Sequence, residues 1–229
     1  MHGATSPCAC DRKDNIMHGI DTTENVAMKL AEIEFWNRTA ERPVEWIGRY
    51  LAAYPSWKVA EPEELDELHK AGFFTVGIFE KNPTHVGYFT RAQALEDLND
   101  LRVIRKKYRI PDDGCVYLTV DYDAGPSDWD VIGAYFDEIV MGFYRDTRLH
   151  EALMQGGFGV YGSGWICSMV SMRHPKFRTW RAMSEGWRKP LSGFGVNNHI
   201  LQLAACDSFS FDADWDYASN GGGWRVDAR

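Results

Sequence analysis

No stretch of this chain approaches the roughly 18 consecutive apolar residues that a membrane-crossing helix needs. The first sixteen residues are polar and lack the apolar core of a secretory signal. Membrane insertion is therefore not expected, and localisation stays unassigned. Positive charge is in deficit: 25 Lys and Arg face 33 Asp and Glu, for a net charge of -8. A phosphate backbone needs a basic surface, so nucleic acid is not an expected partner. Cysteine is sparse and odd in number, five residues at 8, 10, 115, 167 and 206, which is no disulfide framework. Cys8-Ala9-Cys10 has neither a second pair nor a histidine cluster to complete a metal site. H-E-x-x-H, paired histidines at helical spacing and G-x-S-x-G are all missing, which argues against zinc and serine hydrolases.

Two further motifs fail on context. Gly157-Phe158-Gly159-Val160-Tyr161-Gly162 matches G-x-G-x-x-G, but its glycines flank and enter a strand instead of opening a helix after one. Asp212-Ala213-Asp214-Trp215-Asp216 begins like a calcium loop, yet the required glycine and glutamate are Tyr217 and Gly223. No cofactor and no metal ligand set is expected.

What is present is a large apolar fraction, 45%, with nine Trp and ten Tyr. That supports a substantial core, and it also suits sugar binding, where aromatic faces meet C–H groups. Strand-like and helical patterns alternate. Strands are expected at 17–21, 44–51, 73–79, 116–120, 158–161, 177–183, 199–203 and 209–211. Helices are expected at 25–36, 61–71, 91–108, 129–144 and 165–172, with 148–155 either prolonging the fourth or forming a helix of its own. Thr90 is a candidate N-cap and Gly72 a candidate C-cap. Strand then helix, about eight times, predicts an α/β (β/α)₈ TIM-like barrel with shortened helices in the C-terminal units. It is read as one domain over 17–229 behind a flexible arm, 1–16.

Cys115-Val116-Tyr117-Leu118-Thr119-Val120-Asp121-Tyr122-Asp123 is the most telling run. A buried parallel strand ends in carboxylates two residues apart, on one side of the chain. In barrel enzymes the chemistry sits at that end. The other expected strand ends bring Asp21, Tyr50, Glu80, Tyr161, Ser184 or Glu185, Gln202, and Asp212 or Asp214. Clustered carboxylates push one another's pKa values apart, which yields an acid and a base at one pH, as glycoside hydrolysis requires.

These residues carry a resemblance. Gly19-Ile20-Asp21, Tyr117 through Asp123, Gly159-Val160-Tyr161-Gly162-Ser163, Leu201-Gln202 and the terminal Asp-rich strand together resemble the glycoside-hydrolase-like barrel domain of bacterial and phage proteins. That family is similar to the glycoside hydrolase family 25 muramidases. The resemblance covers roughly 17–217 and implies a glycan substrate, peptidoglycan above all. It implies that Asp21 is the first-strand aspartate, that Asp121 and Asp123 stand for the D-x-E pair, and that Tyr161 and Gln202 line the groove. Asp214 or Asp212 stands for the last-strand aspartate. The glutamate of D-x-E, the general acid of the muramidases, is Asp123 here, shorter by one methylene. Three outcomes stay open: Asp123 is still the acid, Glu80 supplies it, or the site binds glycan without cutting.

The catalytic candidates are thus Asp21, Asp121, Asp123, Glu80 and Asp214. The substrate-binding candidates are Tyr50, Tyr161, Trp187, Gln202 and Asp212. The alternatives are a non-catalytic carbohydrate-binding barrel and, more distantly, a metal-assisted phosphodiesterase holding a cation on Asp21, Asp121 and Asp123.

Overall fold

A computed structural model describes residues 17–40, 43–182, 184, 186–191, 199–206, 211–216 and 222–226. The expected arm, 1–16, lies outside them. Eight strands follow in chain order: β1 (Met17–Thr22), β2 (Val44–Tyr50), β3 (Phe74–Phe79), β4 (Val116–Thr119), β5 (Phe158–Gly162), β6 (Arg178–Arg181), β7 (Ile200–Cys206) and β8 (Phe211–Asp216). Each bonds to the next, and β8 bonds back to β1, closing a barrel. Around it lie α1 (Leu30–Thr39), α2 (Pro62–Lys70), α3 (Arg91–Lys107), α4 (Trp129–Tyr144), α5 (Thr147–Met154) and α6 (Gly164–Arg173). The fold is the α/β TIM-like barrel that the alternating pattern predicts. Among the described residues no helix separates β6, β7 and β8.

One strand departs from expectation. β1 through β7 pair in parallel, but β8 runs antiparallel to both β7 and β1. It occupies Phe211–Asp216, not 209–211. The physical reason is connection length. Only residues 207–210 separate β7 from β8, whereas a parallel return needs a crossover of a dozen or so residues.

Local signals explain several helix ends. Thr90 Oγ1 accepts the Gln93 N–H at 3.1 Å and starts α3. Gly72, at φ +96°, takes the left-handed conformation after α2. Asp146 accepts the Arg148 and Leu149 N–H groups, so α5 begins afresh and does not prolong α4. The helix expected from residue 25 starts as a tight turn, Val26–Lys29, before α1.

The core has two shells. Outside the sheet, helices pack on residues such as Phe158, whose ring stacks on Phe143 at 4.1 Å between centroids. Inside the barrel sit Trp46, Val76, Ile78, Cys115, Tyr117, Trp180 and Ile200. Trp180 is the hub: Trp46, Tyr117 and Tyr161 all meet it edge-on, at 5.7, 5.4 and 5.7 Å. Two glycines make room for these rings. A Cβ on Gly19 would fall 2.0 Å from the Trp46 indole, and one on Gly159 would fall 2.4 Å from the Tyr117 ring. This large-against-small filling makes the barrel a packed core and not a pore.

At the strand N-terminal end, the floor, residues 222–226 complete the sheet. Trp224 exchanges both backbone bonds with Thr75 at 2.8 Å, and Gly222 O accepts the Cys115 N–H at 2.6 Å. The opposite end, where the parallel strands finish, is the mouth.

Candidate active site

Alternation along each strand decides which side chains enter the mouth. Gly19 faces Trp46 inside the barrel, so Asp21, two residues on, faces inward too. By the same count Tyr50, Glu80, Asp121 and Gln202 follow inward-facing Trp46, Ile78, Tyr117 and Ile200. Asp21 is buried, and Gln202 Nε2 donates to its Oδ2 at 3.3 Å. Gln202 Oε1 in turn accepts the Tyr161 hydroxyl at 3.1 Å, and the Tyr161 ring rests on Trp180. A chain of contacts thus runs from the packed core to a carboxylate at the mouth. The β8 backbone places Asp212 opposite Asp21, and Asp214 one step lower, opposite Gly19 and Gln202.

The other half of the mouth is ionic. Lys58, in the β2–α2 loop, pairs with the half-buried Glu80 at the end of β3. Its ammonium also lies 4.9 Å from the Tyr50 ring centroid, a cation–π contact. Asp121 lies beside them. Burial raises its pKa above the ordinary aspartate value, the Glu80 charge raises it further, and Lys58 partly offsets both. Its backbone is fixed: the Asp121 N–H donates to Pro83 O at 3.0 Å. The Pro83 segment is itself anchored by Lys81, which reaches Asp97 at 3.3 Å and Asp100 at 3.0 Å on α3. Fully buried Asp97 also accepts the hydroxyls of Tyr88 and Tyr135.

Asp123 belongs to a different set of contacts. It lies beyond β4, where Arg188 donates its backbone N–H to Oδ1 at 2.8 Å and its guanidinium to Oδ2 and to the Asp123 carbonyl. Trp187, next to Arg188, is half-buried, with its N–H on Ser184 O at 3.2 Å. Both lie in the loop after β6, which ends at Arg181; Ser184 is exposed, and Glu185 lies outside the described residues.

The fold therefore gathers Asp21, Gln202 and Tyr161 in one contact chain, and Tyr50, Glu80 and Asp121 around Lys58. Asp123 and Trp187 lie together on the rim. Sequence reasoning missed Lys58, Arg188 and the Pro83 carbonyl. No pattern marks them, since each acts through a loop that only the closed barrel brings to the mouth. Among the described residues no group of three or more His, Cys, Asp or Glu side chains is arranged to hold a metal ion. The ligand set of the phosphodiesterase reading is thus not assembled there. No helix among the described residues is long and apolar enough to cross a membrane.

Comparison with known proteins locates the fold. The family model of the Rv2525c-like, glycoside hydrolase-like domain matches residues 37–221. The uncharacterised protein FadG of Bacillus subtilis is 27% identical over 149 residues, covering 62% of this chain and 24% of that protein. The chain thus spans about a quarter of that curated relative. The Mycobacterium tuberculosis Tat-secreted protein Rv2525c superposes with a TM-score of 0.67 at 13% identity, over 91% of this chain and 98% of that one. The spore cortex lytic enzyme SleM of Clostridium perfringens gives 0.54 at 12%, over 90% and 68%. A muramidase from Trichobolus zukalii gives 0.50 at 13%, over 86% and 92%. At such identities the likeness is one of fold.

Proposed function

Because the chain belongs to the Rv2525c-like, glycoside hydrolase-like domain family, whose barrel it shares with muramidases, we propose that it cleaves glycan of the peptidoglycan type by carboxylate acid catalysis. The observation that carries this reading is Asp121: a carboxyl group at the mouth, held by its backbone, with its pKa raised by burial and by Glu80. A general acid must carry its proton when substrate arrives, and a raised pKa extends that condition toward neutral pH. Asp121 would protonate the departing glycosidic oxygen. Glu80, with Lys58 beside it, sets the field around Asp121. Asp21, fixed by Gln202 and Tyr161, would orient the sugar and stabilise positive charge developing at the anomeric carbon, to which water finally adds, losing a proton and leaving a new reducing end. The backbone register of Asp212 with Asp21 supports Asp212 over Asp214 as the last-strand aspartate. Tyr50 and Tyr161 supply ring surface inside the mouth, and Trp187 at its rim.

A second reading has one observation in its favour. Asp123, which the resemblance matches to the general acid of the muramidases, is engaged by Arg188. If that position is indispensable, the barrel binds glycan without cutting it.

Turnover of purified peptidoglycan decides between them, with released fragments resolved by mass spectrometry. Wild type is compared with Asp121→Asn, Asp123→Asn and Glu80→Gln. The proposal expects reducing-end fragments from wild type, loss of at least about a hundredfold in Asp121→Asn, and smaller losses in the other two. Glycan that sediments with intact wild type but is not cut supports the binding reading. Neither cutting nor sedimentation rejects both.

A further inference from the structure

The β2–α2 loop carries two exposed aromatics close together in sequence. Trp57 is 83% exposed and Tyr54 69%. A single exposed aromatic is ordinary on a protein surface, and Phe35 and Tyr144 on the outer helices are such cases. The Tyr54–Trp57 pair differs in place and in fixation. The loop leaves β2 at the mouth and returns to the same point: the Ala60 N–H bonds Tyr50 O at 2.9 Å, and Val59 bridges Tyr50. The Tyr108 hydroxyl holds the Ala60 carbonyl at 2.7 Å. At the tip, the Val59 N–H closes a turn on Ser56 O at 3.1 Å, with Trp57 and Lys58 as its central residues. Lys58 turns into the mouth, onto Glu80 and the Tyr50 ring. Trp57, its neighbour, turns into solvent. The same turn thus anchors one residue in the candidate site and presents an indole just outside it.

We infer that Trp57, with Tyr54, is an outlying sugar platform that holds glycan units beyond those in the mouth. The inference rests on the glycan reading above and adds to it a dependence on chain length. An indole face suits the apolar C–H face of a pyranose. Because the loop is closed at its base and tied at its tip, the platform loses little freedom on binding. A polymer that reaches from the mouth across the loop engages both places at once, and a fragment confined to the mouth engages one.

The test uses soluble β-1,4-linked N-acetylglucosamine oligomers of two and six units, titrated by calorimetry. The Asp121→Asn protein serves as background so that no ligand is consumed. The expected result is tighter binding of the hexamer than the dimer. Trp57→Ala removes that gain, weakening hexamer binding by about tenfold, or ~1.4 kcal/mol. Trp57→Phe retains most of it, and Tyr54→Ala loses a smaller part. Equal hexamer binding with and without the Trp57 ring overturns the platform and leaves the glycan reading standing. If neither oligomer binds the parent protein, the glycan reading fails and the platform with it.

Discussion

Arg188 holds Asp123 from 65 positions further along the chain, bonding the carboxylate through both its backbone amide and its guanidinium. The pair sits at the rim with its partners partly exposed, at 44% and 32%, so it contributes at most about 1 kcal/mol. It ties the loop that bears Trp187, together with the Trp165 N–H on Arg188 O at 3.3 Å and the Leu191 N–H on Ser168 Oγ at 3.2 Å. Asp123→Ala is expected to speed hydrogen exchange at the Arg188 amide by about fivefold while shifting the Tm by only a few degrees. An unchanged exchange rate would show that the loop is held by other contacts.

Asp121 should leave its mark on pH dependence. Its folded pKa is raised above the unfolded value. The native state therefore favours the protonated form, a contribution present at low pH and lost as pH rises through the folded pKa. Above the folded pKa the ionised group destabilises the fold. Asp121→Asn should then raise the Tm on the alkaline side of that pKa but not at pH 3, even as it removes activity. The alkaline limb of the pH–rate profile should move to lower pH in Glu80→Gln, which removes a negative neighbour, and to higher pH in Lys58→Met. Movement in the opposite sense would discard Asp121 as the titrating acid.

Arg49 and Glu64 form an ion pair with almost no exposure, 1% and 3%. Glu64 takes the Arg49 Nε–H at 2.7 Å and the Val26 N–H at 3.0 Å, while Arg49 also donates to the Thr22 carbonyl. The pair thereby fixes the chain just after Asp21. Removing one partner strands a buried charge, so Glu64→Ala is expected to cost about 3–5 kcal/mol. Replacing both by apolar residues of similar volume should cost much less. Thermal or urea melts of the single and double variants check this, and equal losses would mean that the charge itself is not the issue.

His69, beneath the barrel, is held neutral by burial, with its pKa lowered from 6.5 to about 4 despite the opposing field of Asp66. Its ring bonds Thr75 through Nε2 at 3.1 Å and accepts the Val226 N–H through Nδ1. A depressed folded pKa contributes stability that is present above the unfolded value and lost as pH falls through the folded one. The loss falls between pH 6.5 and about 4 and approaches ~3 kcal/mol. His69→Gln should flatten the stability curve across that interval in denaturant melts, and a slope unchanged from wild type would count against this role.

Much of this was legible from residues alone. β1 through β5 announce themselves because apolar runs are cut by glycine, proline and capping residues, and the caps at Thr90 and Gly72 lie where the pattern puts them. Asp21, Glu80 and Asp121 are legible because a charge directly after a buried strand has few places to go except its open end. An eighth strand is legible, but its extent and direction are not. Aspartate is poorly represented in strands, so the pattern ends that strand at Phe211 and leaves most of Asp212-Ala213-Asp214-Trp215-Asp216 beyond it. The ladders of both neighbours make that segment the strand itself. Its reversal still sets Asp212 level with Asp21, since a strand that starts at the mouth brings its first residues there. Lys58 and Arg188 are not legible because their partners lie 22 and 65 residues away, and no local period encodes such a meeting.

The reversed strand also decides where the barrel's sheet begins and ends. β8 ends at the floor, where Asp216 is the backbone partner of Met17, the first residue of β1. The first and last strand residues of the barrel are thus side by side, and the last described residue, Val226, whose N–H bonds His69 Nδ1, lies at the same end, opposite the carboxylates. A module wired this way can be spliced into a longer polypeptide at one point, or tethered to a surface by either end, with its mouth facing outward.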